Sequence, residues 1–205
     1  MLQLSLNEIF SETQKALRSV NIEWGIAKDC ATLSRWLAIH DQYFLGSILK
    51  TIEMYKNQKF SLSLEKNNRE TPLPATLMGT LLVEYISVKK EWKGYIHNPK
   101  FLVAAMGLIA EEQQVNLELS DKRNKVIAIT NNKKLFANYN KLTTSTGYFV
   151  LRINNIPDIS KLNEILISKK LKLSNVNNKC WAKLKEMAFE TYVPESETSI
   201  SGAGY

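Results

Sequence analysis

The chain has 205 residues, 44% of them hydrophobic and 23% charged, and 27 basic against 20 acidic side chains give a net charge of +7. This composition excludes a chain that is disordered throughout, and the length suffices for a single domain with a full hydrophobic core. No apolar run reaches the ~18 residues of a membrane-spanning helix, and the N-terminus lacks the basic start and apolar stretch of a secretory signal, so a soluble cytoplasmic protein without membrane association is expected.

Ser5-Leu6-Asn7-Glu8 has the form of a capping box, in which the Ser5 hydroxyl and the Glu8 side chain satisfy each other's backbone amides. A helix over 6–19 follows, with Leu6, Ile9, Phe10, Ala16 and Leu17 at helical spacing. A second helix is predicted over 24–38. Its stripe of Ala27, Cys30, Ala31, Ser34, Leu37 and Ala38 is small enough for close approach to the first helix. Phe44, Leu45, Ile48, Leu49 and Ile52 predict a third helix over 43–55, so residues 1–55 read as a helical subregion.

Residues 56–75 are polar and contain Pro72 and Pro74, which predicts a loop. Residues 76–88 are apolar and read as a helix with Gly79 as its weak point. Trp92-Lys93-Gly94-Tyr95 reads as a loop with aromatic anchors. Asn98-Pro99 then opens a buried helix over 101–113, Asn98 as cap and Pro99 in the first turn. Val115-Asn116-Leu117-Glu118-Leu119 alternates as a half-buried strand does. The turn Asp121-Lys122-Arg123-Asn124 leads to a second strand over 125–130, and a third is predicted over 148–153, with Phe149, Leu151 and Ile153 on one face and Tyr148, Val150 and Arg152 on the other. A short helix over 159–168 and a final helix over 176–190, buried through Trp181, Leu184 and Ala188, complete the domain, and residues 191–205 form a tail. The expected class is α+β: a helical N-terminal third packed with a small antiparallel sheet and further helices.

Cys30 and Cys180 are far apart and outside any Cys-x-x-Cys pair, so they read as buried thiols in a reducing compartment. With only His40 and His97 as histidines, and none of the Gly-x-Ser-x-Gly, His-Glu-x-x-His or glycine-rich phosphate-loop motifs, no metal site is expected and no catalytic group or cofactor is named by the sequence. His40 follows the second helix, where a helix C-terminus favours a protonated imidazole and an acid–base role at a cleft edge. His97 precedes the Asn98-Pro99 helix start, whose amides attract anions, and Lys93 and Lys100 stand close in sequence. Arg152 joins these ligand-binding candidates, as do Ser196, Glu197, Gly202 and Gly204 in the tail, where small residues let backbone amides approach an anion or another chain.

All the excess positive charge lies after residue 55, yet only five basic residues are Arg. Lys, Asn and Ile are plentiful, as an A- and T-rich genome would make them. Scarce Arg disfavours nucleic-acid readout.

Ser5-Leu6-Asn7-Glu8-Ile9, Glu23-Trp24-Gly25-Ile26-Ala27 and Ser34-Arg35-Trp36-Leu37-Ala38 resemble the start of a bacterial protein family catalogued only as a domain of unknown function. Gly79-Thr80-Leu81-Leu82, Asn98-Pro99, the Tyr-Val-Pro-x-Ser-Glu stretch at 192–197 and Gly202-Ala203-Gly204 extend that resemblance along the chain. Residues 5–46, with His40-Asp41 and Gly46, are similar to the first helices of the malate/L-lactate dehydrogenase family that lacks a Rossmann fold, which implies a place in metabolism. The expected role is a metabolic protein that binds a small anionic metabolite. The alternatives are an accessory subunit that binds a protein partner or a second copy of itself, and a nucleic-acid-binding protein.

Overall fold

The computed structural model describes residues 2–40, 43–113, 115–131, 134–138, 142, 146–155, 158–162 and 173–191. The fold is α+β, with six helices and two sheets among these residues.

Three helices open the chain: α1 (Leu6–Arg18), α2 (Trp24–Ile39) and α3 (Leu45–Lys56). The Ser5 hydroxyl caps α1 by accepting from the Glu8 amide at 3.1 Å. Leu17 and Ile9 on α1 and Ala27, Cys30, Ala31, Ser34, Leu37 and Ala38 on α2 are all fully buried, so the small-residue stripe does bring the two helices together. Before α1, β1 (Leu2–Ser5) pairs antiparallel with β8 (Leu173–Val176), tying the first helix to the last, α6 (Asn178–Phe189). Neither of these strands was expected. Four-residue edge strands carry too few alternating positions to stand out from a helix flank, and Val176 belongs to β8 rather than to the final helix. Asn177 caps α6, its side-chain oxygen accepting from the amides of Lys179 and Cys180.

The main sheet has six strands in the order β2-β3-β7-β4-β5-β6: Leu73–Pro74, Glu91–His97, Thr146–Ile153, Leu117–Asp121, Val126–Asn131 and Lys134–Ala137. Only β2 and β3 are parallel, joined through α4 (Ala75–Lys89); the other pairs are antiparallel. Pro74 is tolerated because β2 is an edge strand. The expected aromatic loop at 92–95 is β3, beside the central pair. Trp92, Gly94 and Ile96 are buried while Glu91 and Lys93 are exposed, an alternation that Gly94 hides from hydropathy. A Cβ on Gly94 would stand 2.5 Å from the Asn67 carboxamide oxygen and 2.7 Å from the Trp92 ring. That packing explains the glycine. Asn67 uses the same oxygen to accept from the Tyr95 amide at 2.7 Å, capping the edge that β2 is too short to cover.

One face of this sheet packs against α4 and α5 (Pro99–Gln113), and α2 lies on those two helices in turn. Phe101, Leu102, Val103, Ala104, Ala105 and Met106 are all buried on α5. Gly79 is no defect in α4: a Cβ there would lie 3.3 Å from the Phe101 carbonyl oxygen, so the glycine permits the α4–α5 approach. The hydrophobic interior runs continuously from Leu4 to Ala188. Val126, Ile129 and Leu162 form a smaller cluster on the sheet's other face. Of the short helix expected over 159–168, Ile159–Lys161 is a 3-10 turn, and residues 163–168 lie outside the described residues.

Asn98 departs from its expected role. Its φ is +55°, a left-handed conformation that Asn adopts more readily than most residues, and its side-chain nitrogen reaches α3, 3.5 Å from the Ser47 carbonyl and 3.4 Å from Thr51 Oγ1. It joins two helices through its side chain.

Candidate functional site

Strand alternation sends Lys93, Tyr95 and His97 of β3 to the face opposite Trp92 and Ile96, and register pairs them with Val150, Tyr148 and Thr146 of β7. At this end of the sheet a cleft of about 690 Å³ opens where the C-terminal half of β3, the start of β7 and the β4–β5 turn converge. Tyr95, Thr146 and Tyr148 line it with Arg69 from the loop after α3 and with Asp121, Lys122, Arg123 and Lys125 from the turn.

Local sequence builds that turn. Asp121 Oδ1 accepts from the amides of Arg123 at 2.8 Å and Lys125 at 3.0 Å, and Asn124 takes a φ of +58°. One carboxylate oxygen is thereby committed to shaping the backbone, while Lys122, Arg123 and Lys125 remain exposed. Among the described residues, neither these three side chains nor Arg69 forms an ion pair. Across the cleft the Tyr95 and Tyr148 rings stand edge to face, with centroids 5.3 Å apart and planes at 79°.

His97 supports the wall from the side, next to Thr146 on the same face. It is 1% exposed, its Nδ1 lies 2.9 Å from Thr146 Oγ1, and the Phe60 ring tilts over it at 5.3 Å. Its Nε2 is buried with no hydrogen-bond partner among the described residues. Burial, helped by the charge of Lys50, pushes its pKa down to about 4, so the ring is neutral at pH 7. A base so weakened is poorly matched to proton abstraction at neutral pH. Its contribution here is to hold the Thr146 hydroxyl.

The remaining sequence candidates do not gather around this cleft. His40 ends α2, buried; its ring stacks on Trp36 at 3.8 Å and its Nδ1 lies 2.8 Å from the Trp36 carbonyl oxygen. Lys93 is exposed and pairs with Glu91 at 2.9 Å, an interaction that raises its pKa. Lys100, on the first turn of α5, has its pKa lowered by burial. Arg152 is engaged by the fully buried carboxylate of Glu118, to which its Nε donates at 3.1 Å; Asn154 Nδ2 donates to the other carboxylate oxygen at 2.7 Å. Ser196, Glu197, Gly202 and Gly204 lie outside the described residues. Of the thiols, Cys30 is buried and its pKa is raised by desolvation, whereas Cys180 is half-buried with the Tyr43 hydroxyl 3.5 Å from its sulfur.

The cleft residues Arg69, Lys122, Arg123 and Lys125 were missed because they come from two segments that read simply as polar connections. The available signal was Asp121 followed by cations at the next two positions and again at 125, a turn that displays charge it does not neutralise. Among the described residues no cluster of three or more His, Cys, Asp or Glu is arranged to hold a metal ion, and no helix is long and apolar enough to cross a membrane.

Residues 4–63 match the model of a family described as a protein of unknown function, DUF3726. The match covers α1, α2 and α3, in agreement with the resemblance read from the opening motifs, and ends before the first cleft residue, Arg69. No curated protein matches the chain.

Proposed function

We propose that this protein binds a small anionic metabolite in the cleft between β3, β7 and the β4–β5 turn. One observation carries the reading: Arg69, Lys122, Arg123 and Lys125 line the cleft without ion-pair partners among the described residues, and the one acidic residue beside them, Asp121, accepts from backbone amides through Oδ1. Like charges held together at the mouth of a concavity repel one another until an anion neutralises them, and they draw that anion in. The volume, about 690 Å³, falls within the range of small-ligand sites.

Thermal-shift titration with citrate, inorganic phosphate and pyrophosphate tests the reading. A ligand at a hundred times its Kd stabilises the folded chain by about 2.7 kcal/mol. The expected result is a rise in melting temperature for at least one of these anions, and its loss in the triple variant Lys122→Ala, Arg123→Ala, Lys125→Ala. A shift of equal size in that variant refutes the site, as does the absence of any shift in the natural chain with these anions and with nucleotides alike.

A further inference from the structure

We infer that the anion this cleft takes carries a flat ring, as a nucleoside mono- or diphosphate does; the inference rests on the anion-binding reading above and narrows it. The observation beyond the cations is the tyrosine pair. Tyr95 and Tyr148 are directly opposed in register, share one face of the sheet, are each half-buried and both line the cleft. An edge-to-face pair leaves ring surface unstacked, and an aromatic surface in a solvated cleft holds a planar heterocycle by stacking, with little regard to which base it is.

The spatial order of the parts matches such a ligand. Tyr95 lies on β3 and Tyr148 on β7, and the next strand, β4, ends in Asp121 and the turn that bears Lys122, Arg123 and Lys125. From the tyrosine of β3 to the cationic turn is thus two strand spacings, roughly 10 Å. A ring at one end and phosphates at the other bridge that span in a nucleotide. A bare phosphate or a small carboxylate would occupy the cationic end alone. Two residues from Tyr148 on β7, Thr146 also lines the cleft, its hydroxyl held by the neutral His97, a polar group in the wall suited to a sugar hydroxyl or a base edge. The cleft's size favours one nucleotide over a strand of nucleic acid.

Isothermal titration of the full chain with ADP, AMP, ribose 5-phosphate and pyrophosphate separates the outcomes. The expected result is that ADP binds at least tenfold more tightly than ribose 5-phosphate or pyrophosphate. Tyr148→Leu should weaken ADP by roughly tenfold and leave pyrophosphate unchanged, while Tyr148→Phe retains ADP. Pyrophosphate or ribose 5-phosphate binding as tightly as ADP overturns the ring requirement and leaves the anion site standing. Binding of none of the four, with no thermal shift from citrate or phosphate, sinks both readings together. A single-stranded oligonucleotide that binds more tightly than ADP, with steep salt dependence, overturns the mononucleotide in favour of a strand. Should Tyr148→Leu melt early, the comparison of ADP with pyrophosphate in the natural chain decides the matter without it.

Discussion

The two faces of the six-stranded sheet are built from alternate residues of the same strands and solve opposite problems. Toward α4 and α5, Trp92, Ile96, Phe149, Leu151, Leu117 and Leu119 are buried in one continuous interior, where each side chain's position is set by its neighbours. The opposite face is polar over much of its area, and the charges there and around the cleft at the sheet's end divide into two kinds. Glu118 with Arg152 and Asn154 is a closed set, every group partnered. The cations around the cleft are an open set. A buried charge without partners destabilises a fold, so such a set is matched internally. An exposed set left unmatched costs little and remains available to a ligand.

The largest effect should come from opening the closed set. Arg152→Ala leaves the Glu118 carboxylate, 1% exposed, with Asn154 as its one side-chain partner among the described residues. Urea denaturation should show a loss of about 3 kcal/mol. The conservative Glu118→Gln, which removes the charge that needs compensating, should cost clearly less. Equal losses in the two variants would mean that Glu118 is better solvated than its burial indicates.

His97 extends the comparison to pH. Its folded pKa, about 4, lies below the ordinary imidazole value of 6.5, so between these values the unfolded chain binds more protons than the folded one. Its contribution to stability is therefore complete above pH 6.5 and is lost as pH falls toward 4. The loss should approach about 3 kcal/mol once both states have titrated. His97→Gln removes this component and keeps the carboxylates, so the difference between the two pH profiles isolates the histidine. Parallel profiles would overturn the assignment.

A smaller effect is expected where α3 meets α4. Thr51 Oγ1 and Thr76 Oγ1 are 2.9 Å apart and fully buried. Thr76→Val strands the Thr51 hydroxyl, apart from its 3.4 Å approach from Asn98, and should cost about 1 kcal/mol. The double variant Thr51→Val, Thr76→Val should recover part of that loss, because no hydroxyl is then left unpaired. A double variant at least as unstable as the sum of the two single changes would contradict the pairing.

Amphipathic helices were legible in the sequence because burial along α1 and α2 repeats over several turns, α5 showed as a continuous apolar run, and the Ser5 cap marked the start of α1. Short or interrupted strands were not. β1 and β8 have four residues each, and β3 carries Gly94 at a buried position where an apolar side chain would have marked the alternation. The alternation of 148–153 was readable, yet nothing local to that strand announces that Tyr148 faces Tyr95, because the pairing joins residues separated by a helix and three strands. The site candidates were chosen by residue type and helix ends. That rule found His97 but not the role its partner gives it, and it selected Arg152 without seeing the carboxylate 34 positions away that engages it. Charge clusters form in three dimensions from connections that look inert one at a time.

The smallest effect on stability should come from the cleft itself, and its sign is informative. Lys122, Arg123 and Lys125 are exposed and without ion-pair partners among the described residues, so replacing all three by Ala removes no packing and leaves no buried charge. The unfolding free energy should change by less than about 0.5 kcal/mol. Because the three cations repel one another and Arg69, the change should be toward greater stability at low ionic strength, and it should vanish once the Debye length falls to about 3 Å in 1 M salt. A marked loss of stability in this variant would mean that the turn's cations serve the fold, and the distinction between a closed and an open set of charges would then fail.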